Sequence, residues 1–129
     1  MFHRIARLVI LWGVLALMAG CGPRQNKLTM ADNGTNRDIG VGGQIIVELN
    51  GNPSTGYTWE AKDLDVGILQ QVGTGFKSSN PGMVGAGGTL TLTFKALKAG
   101  VTTLTLVYHR PWEKDVKPLS TFVVTITIK

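Results

Sequence analysis

The sequence predicts an all-β fold, in which two sheets of antiparallel strands pack face to face as a sandwich. The first observation is that apolar residues recur at every second position, as at Ile45, Val47 and Leu49, which is the period of a strand with one buried face. The second is that such segments are short and end at turn residues such as Gly, Pro and Asn. The third is that no segment after residue 20 has a sustained helical stripe with caps. Short strands of this kind bury their apolar faces best as a sandwich.

Five further strands are predicted after the one at residues 45–49. Two shorter candidates lie at residues 57–61 and 66–72. Three longer ones follow, and threonines fill many of their outward positions. Their inward positions are Leu90, Leu92 and Phe94 in the first, Thr102, Leu104, Leu106 and Tyr108 in the second, and Phe122, Val124, Ile126 and Ile128 in the third.

The first twenty residues have the layout of a secretory signal peptide. His3, Arg4 and Arg7 precede an apolar run at residues 8–19, which is shorter than the ~20 residues that cross a bilayer core. The run ends in Leu17-Met18-Ala19-Gly20-Cys21, which resembles the lipobox of bacterial lipoproteins. In that family the cysteine is acylated and becomes the mature N-terminus, and Cys21 is the only cysteine here. An ordinary signal peptide that happens to precede a cysteine is the alternative.

These features divide the chain into three parts. Residues 1–20 are the predicted lipoprotein signal peptide. Residues 21–38 are predicted to be a flexible tether from the lipidated Cys21, because they are polar and have few apolar side chains to bury. Residues 39–129 are the predicted sandwich, with room for one domain. The resemblance to lipoproteins implies anchoring in the membrane of a bacterial cell envelope, on the periplasmic or surface side, and Gly22 is compatible with the outer membrane.

Three connections between the predicted strands are long and chemically rich, at residues 50–56, 73–88 and 109–118. The two that alternate with them, near residues 62–65 and 98–100, are short turns. Successive connections of an antiparallel sandwich lie at alternate ends, so the three rich loops are expected at the same end. Immunoglobulin-like sandwiches commonly bind their partners there.

The sequence offers little for catalysis, metal binding or nucleic-acid binding. Acylation would consume Cys21, and His109 is the only histidine after the signal, so neither a Cys–His pair nor a histidine-rich metal site can form. No serine lies in a G-x-S-x-G elbow, and the glycines at 82–88 lack the lysine and helix of a phosphate loop. The basic residues are scattered, without the basic stripe of nucleic-acid binders. We therefore expect no enzyme, no cofactor, no metal and no nucleic-acid partner.

The three loops instead have the character of contact surfaces. Pro53 restricts the backbone of the first loop, and stiffness lowers the entropy lost on binding, although a well-made hairpin turn would look the same. The glycines of the second loop would let another backbone approach closely, although a flexible linker would have the same composition. The third brings Arg110 and Trp112, residue types enriched at binding hot spots, into a turn. We expect Trp112 to be exposed and Trp59 to lie in the core.

In this order, the loops resemble the chagasin family of cysteine-peptidase inhibitors. That family carries the motifs N-P-T-T-G-[YF], G-x-G-G and R-P-[WF] on three neighbouring loops of an immunoglobulin-like antiparallel β-sandwich. Ser54 stands where the family has its first threonine, which keeps a hydroxyl and loses a methyl group. The matching residues are Asn52-Pro53-Ser54-Thr55-Gly56-Tyr57, Gly85-Ala86-Gly87-Gly88 and Arg110-Pro111-Trp112.

The resemblance implies a monomeric inhibitor that occludes the cleft of papain-like cysteine peptidases tightly and reversibly. The loop at 52–57 would enter the catalytic centre, the loop at 85–88 would follow the cleft backbone, and Trp112 would pack on an aromatic surface with Arg110 hydrogen-bonding nearby. The alternative is an envelope-anchored immunoglobulin-like module with an adhesive or structural role. A glycan-binding version would need several exposed aromatic residues with acids or amides around them, and only Trp112 is a clear candidate.

Overall fold

The computed structural model describes residues 25–129, which form eight strands and two 3₁₀ turns. The 3₁₀ turns are Met30–Asp32 and Pro53–Thr55. The strands are β1 (Gln25–Leu28), β2 (Asn36–Ile39), β3 (Gln44–Gly51), β4 (Thr58–Lys62), β5 (Leu69–Ser78), β6 (Gly88–Ala96), β7 (Gly100–His109) and β8 (Ser120–Ile128). One sheet has the strand order β1-β3-β6-β5 and the other has the order β2-β8-β7-β4. The predicted immunoglobulin-like β-sandwich is confirmed.

The core lies between the two sheets and consists of the inward positions of the alternating strands. β3 and β6 contribute from one sheet, and β7 and β8 contribute from the other. Of the predicted inward positions, Thr102, Leu90 and Tyr108 are only half-buried. The largest fully buried side chains include Phe94, Phe122, Ile45, Leu49, Leu92, Leu104, Leu106 and Ile126.

The segment before the predicted domain is part of both sheets, which corrects the prediction of a flexible tether over residues 21–38. β1 pairs in parallel with β3, and β2 pairs in parallel with β8. Leu28 and Ile39 are 1% and 5% exposed. Main-chain hydrogen bonds to an existing sheet edge need few apolar side chains, so a polar composition did not exclude strands. The sandwich therefore includes residue 25, and residues 21–24 lie outside the described part of the chain.

A 3₁₀ turn and an ion pair hold the connection between β1 and β2. The Thr29 amide donates to the Asp32 carboxylate over 2.9 Å, and the Arg37 guanidinium pairs with the same carboxylate. The hydrogen bond from Thr29, together with the charge and hydrogen bond of Arg37, lowers the pKa of Asp32 below its ordinary value. This connection crosses from one sheet to the other.

β5 is longer than predicted, and the loop after it is shorter. The strand begins at Leu69 and continues to Ser78, so the connection to β6 comprises residues 79–87 and not 73–88. Most side chains of β5 are exposed, and the pairing with β6 shifts between Gln71 and Gly73. β5 is an edge strand that main-chain hydrogen bonds hold to β6, and its pairing contains a bulge. Such a strand does not need the apolar alternation on which the prediction depended.

The strand directions give the sandwich two distinct ends. The β3–β4, β5–β6 and β7–β8 loops lie at one end, here named the loop edge and comprising residues 52–57, 79–87 and 110–119. The opposite end, named the base, contains the connections at residues 40–43, 63–68 and 97–99. Gln25, the first residue of β1, pairs with Gln44 at the base end of β3. Among the described residues, no helix is long and apolar enough to cross a membrane.

A three-loop edge as the candidate binding site

The β3–β4 loop is a rigid turn organised by Asn52. The chain leaves the sheet after the pair Gly51–Gly88 and enters the 3₁₀ turn at Pro53. The Asn52 side-chain oxygen accepts hydrogen bonds from the amide of Ser54, over 3.1 Å, and from its hydroxyl. This is the capping expected of an asparagine before a helical turn. The Ser54 hydroxyl thus faces its own loop and stabilises it.

Thr55 and Gly56 close the same turn. The Thr55 hydroxyl donates to the Asn52 carbonyl oxygen over 2.6 Å. Gly56 has a φ of 83° and donates its amide to the Pro53 carbonyl oxygen over 3.0 Å. A left-handed backbone of this kind favours glycine. The side chains of Pro53, Ser54 and Thr55 remain exposed at the apex of the turn.

The β5–β6 loop is hydrogen-bonded directly to the first loop. The Asn52 side-chain amide donates to the Gly85 carbonyl oxygen over 2.9 Å. Gly85 has a φ of 80°, and a Cβ at Gly87 would lie 3.4 Å from the Gly51 carbonyl oxygen. The glycines therefore let the two loop backbones lie side by side. At the tip of this loop, Met83 and Val84 are exposed.

The β7–β8 loop contacts the first loop from the other side. The Arg110 Nε donates to the Thr55 carbonyl oxygen over 3.0 Å, and an Nη donates to Glu113 over 3.0 Å. The guanidinium carbon lies 4.5 Å from the centre of the Tyr57 ring. Trp112 is 66% exposed, as expected, and the rest of its indole covers Gly56.

The structure therefore brings together all three predicted motifs. The first motif lies between the other two and is hydrogen-bonded to both, through Asn52 on one side and Thr55 on the other. Arg110 differs from the expectation, since its Nε and one Nη are engaged within the domain. The contact of these residues with a peptidase remains a prediction. The grouped residues are Asn52, Pro53, Ser54, Thr55, Gly56, Tyr57, Gly85, Ala86, Gly87, Gly88, Arg110, Pro111 and Trp112.

Tyr108 is the main residue of this region that the sequence did not reveal as part of it. Its hydroxyl accepts a hydrogen bond from the Asn52 amide over 2.9 Å. Trp59, which is 4% exposed and confirmed as a core residue, donates its indole N–H to the Asn50 carbonyl oxygen over 3.0 Å. Both residues occupy ordinary alternating strand positions, so only their cross-strand pairing, Trp59 with Tyr108, places them under the loop.

The chemistry of the loop edge is that of a contact surface. The apex presents Pro53 and Thr55, and apolar side chains flank it at Val84 and Trp112. His109 ends β7 beside this edge, and its Nε2 lies 2.8 Å from a carboxylate oxygen of Glu60. Among residues 25–129, no group of His, Cys, Asp and Glu side chains could hold a metal ion.

Comparisons with known proteins identify the family of this chain. The model of the family described as Chagasin family peptidase inhibitor I42 matches residues 38–126. The chain is 34% identical to Amoebiasin-2 from Entamoeba histolytica over 79% of this chain and 84% of that protein. It is 30% identical to Chagasin from Trypanosoma cruzi over 67% of this chain and 83% of that protein.

A solved structure gives the same result for the fold. The crystal structure of the cysteine protease inhibitor EhICP2 from Entamoeba histolytica is similar, with a TM-score of 0.73 and 32% identity. The similarity covers 84% of this chain and 100% of that one. The family match includes all three loops of the loop edge, and so the chain belongs to the Chagasin family of peptidase inhibitors and is not an enzyme.

Proposed function

We propose that this protein inhibits papain-like cysteine peptidases by inserting the loop edge into the active-site cleft, reversibly and without being cleaved. The observation that carries the proposal is that three loops, distant in sequence, form one hydrogen-bonded edge. Asn52 joins the first loop to the second, and Arg110 joins the third loop to the first. Such an edge suits a groove, because its central turn can enter while its flanks contact the two walls.

In this proposal each loop has a different task. The exposed turn at residues 53–55 would occupy the catalytic centre. The glycine-rich strand entry at residues 85–88 would lie along one wall, where another backbone can approach, and Trp112 would supply a large apolar contact on the other. None of these residues carries a thiol or an activated electrophile with which the peptidase's nucleophilic cysteine could react, so the proposed occlusion requires no covalent bond.

The rigidity of the edge favours tight binding. Ordering a mobile loop on association costs free energy, and a loop already held in its bound form avoids that cost. Here the Asn52 cap, the Thr55 hydroxyl bond and the left-handed Gly56 fix the central turn in the free domain. The same rigidity would also protect the turn from cleavage, because a peptide bond held in a compact turn does not extend across a catalytic centre.

The experiment is a titration of papain with residues 22–129, which contain every described strand. We expect inhibition at a one-to-one ratio, full recovery of intact inhibitor by mass spectrometry, and comparable binding to a papain variant whose nucleophilic cysteine is replaced by serine. Binding that requires the nucleophile, or cleaved inhibitor, would reject this mechanism. No inhibition at micromolar concentration across several papain-like enzymes would favour the adhesive immunoglobulin-like module.

We propose in addition that the chain is a bacterial lipoprotein anchored through Cys21, which lies outside the described residues. The support is the lipobox-like segment at residues 17–21 together with the position of Gln25 at the base. The four residues from Cys21 to Gln25 extend at most ~14 Å, at ~3.5 Å for each residue. An anchor at Cys21 would thus hold the base near the membrane, with the loop edge directed away from it.

Fractionation of cells that express Cys21→Ser tests the anchor. Two or more acyl chains give stable membrane attachment, so the wild-type chain should be found in the membrane fraction. The variant should move to the soluble fraction or remain unprocessed. Identical fractionation and processing of the two chains would reject lipidation while leaving the inhibitory function intact.

A further inference from the structure

A column of aromatic rings lies beneath the central turn of the loop edge. The Tyr108 ring stacks on Trp59, with ring centres 5.1 Å apart, and contacts Tyr57, with centres 5.4 Å apart. The Arg110 guanidinium lies over the Tyr57 ring. Aromatic contacts at these distances are favourable and restrict the rings that make them. The Tyr108 ring therefore packs against two other aromatic rings.

The polar groups of this column bind the main chain of the turn. Trp59 donates to the Asn50 carbonyl oxygen, Tyr108 accepts from the Asn52 amide, and Arg110 donates to the Thr55 carbonyl oxygen. The three bonds are therefore made before the turn, at its first residue and at its end.

The main-chain amide of Asn52 has no hydrogen-bond partner within the sheet. Asn52 follows the last ladder pair, Gly51–Gly88, so its amide has no partner strand. An unpaired amide at this half-buried position would cost free energy. Gly51 leaves room for Leu90, which a Cβ there would overlap, and the same Cβ would lie 3.4 Å from the Tyr108 ring.

We propose that Tyr108 is a positioning residue for inhibition: its hydroxyl holds the Asn52 amide, and thereby the turn at 53–55, in the form that enters the cleft. This inference depends on the proposed function. Tyr108 itself need not contact the peptidase, because its ring is half-buried and packs against Trp59 and Tyr57. Without the hydroxyl, the turn would spend part of its time in other conformations. The apparent affinity for the peptidase would then fall in proportion to the fraction of molecules whose turn is in the binding-competent conformation.

The test is Tyr108→Phe in the full chain, purified in mild detergent. Phenylalanine keeps the ring and its stacking but cannot accept the hydrogen bond. We expect faster hydrogen exchange at the Asn52 amide and an inhibition constant for papain that is about three- to ten-fold larger. One net hydrogen bond is worth about 0.5–1.5 kcal/mol, and ~1.4 kcal/mol corresponds to tenfold. The loss should appear in the association rate, since fewer molecules are ready to bind.

Thr103→Val is the matched control, because it removes one hydroxyl from an exposed position of the same strand, β7. It should leave both the Asn52 exchange and the association rate at wild-type values. A Tyr108→Phe variant with an unchanged association rate, or with a loss confined to the dissociation rate, would overturn the positioning role alone. A wild-type chain that does not inhibit papain-like enzymes would overturn the proposed function and this role with it.

Discussion

The indole of Trp112 covers Gly56 so closely that a Cβ at residue 56 would overlap the ring. Trp112 lies on the β7–β8 loop and Gly56 ends the central turn, so the contact joins two of the three loops. The same glycine has a left-handed φ of 83°. Its lack of a side chain therefore serves both the turn and the placement of the exposed tryptophan.

Gly56→Ala should weaken inhibition by about tenfold or more, because the new methyl group displaces Trp112 and a left-handed non-glycine residue costs about 1–2 kcal/mol. Gly42→Ala is the control, since Gly42 has the same φ of 83° at the base and a Cβ there meets nothing within 4 Å. Both variants should lose similar thermal stability, measured by melting. Equal inhibition constants for the two would show that the Trp112 contact has no role in binding.

Replacing the two tryptophans of the sandwich should separate binding from folding. Trp112→Ala removes an exposed contact, so inhibition should weaken about thirty-fold, for a hot-spot loss of ~2 kcal/mol, with little change in melting temperature. Trp59→Ala empties a core site and should cost ~3–5 kcal/mol of stability. Inhibition constants and thermal melts of both variants check this pair. If Trp112→Ala unfolds the domain, the loop edge is not a free binding surface.

Arg110→Lys should reduce inhibition although the charge is kept. Lysine cannot reproduce both the bond to the Thr55 carbonyl oxygen and the planar contact with Tyr57. The loss of one hydrogen bond and one cation–π contact is about 1.5 kcal/mol, or roughly tenfold in the inhibition constant. Wild-type inhibition by Arg110→Lys would mean that positive charge alone, and not the geometry of the guanidinium, matters at this position.

Two substitutions at Thr55 distinguish its hydroxyl from its shape. Thr55→Val keeps the branched shape but loses the bond to the Asn52 carbonyl oxygen, so we expect inhibition to weaken about three- to ten-fold. Thr55→Ser keeps the hydroxyl and should stay closer to wild type. If Thr55→Val inhibits more strongly than Thr55→Ser, the methyl group of Thr55 contributes to inhibition through contact with the peptidase, and the hydroxyl does not.

Asp32 should make stability depend on pH at the acidic end. The pKa of Asp32 in the folded chain is lower than its ordinary value of 3.8, so the carboxylate stabilises the fold fully above about pH 4. That contribution is lost as the pH falls through the lowered folded-state pKa. Asp32→Asn should therefore melt lower than wild type at pH 7, and the difference should shrink below pH 3.8.

Asp63→Asn is the control for this series, since Asp63 is exposed in a base turn with a φ of 53°, which asparagine tolerates. Its melting temperature at pH 7 should stay near wild type. A difference between Asp32→Asn and wild type that is the same at pH 2.5 and pH 7 would contradict the role given to the Asp32 carboxylate.

The amino-acid sequence by itself determined the all-β class, most of the core and the grouping of the three motifs. Alternation at residues such as Ile45, Val47, Phe122 and Val124 reports a buried face directly, because side chains of a strand point to opposite sides in turn. The shared end of the loops followed from the antiparallel order of the strands. The motif residues could be identified because proline, glycine and tryptophan have distinctive backbone or contact properties.

Only the tertiary structure decided the features that depend on main-chain pairing and on neighbours distant in sequence. β1, β2 and the second half of β5 are held at sheet edges by backbone hydrogen bonds, which any polar sequence can make, and so they lack the apolar alternation of central strands. Tyr108 lies at a position of β7 that follows the same alternation as the core residues of that strand. Its role depends on the register that places it against Trp59 and beneath Asn52, and no local pattern encodes the meeting of residues 56 positions apart.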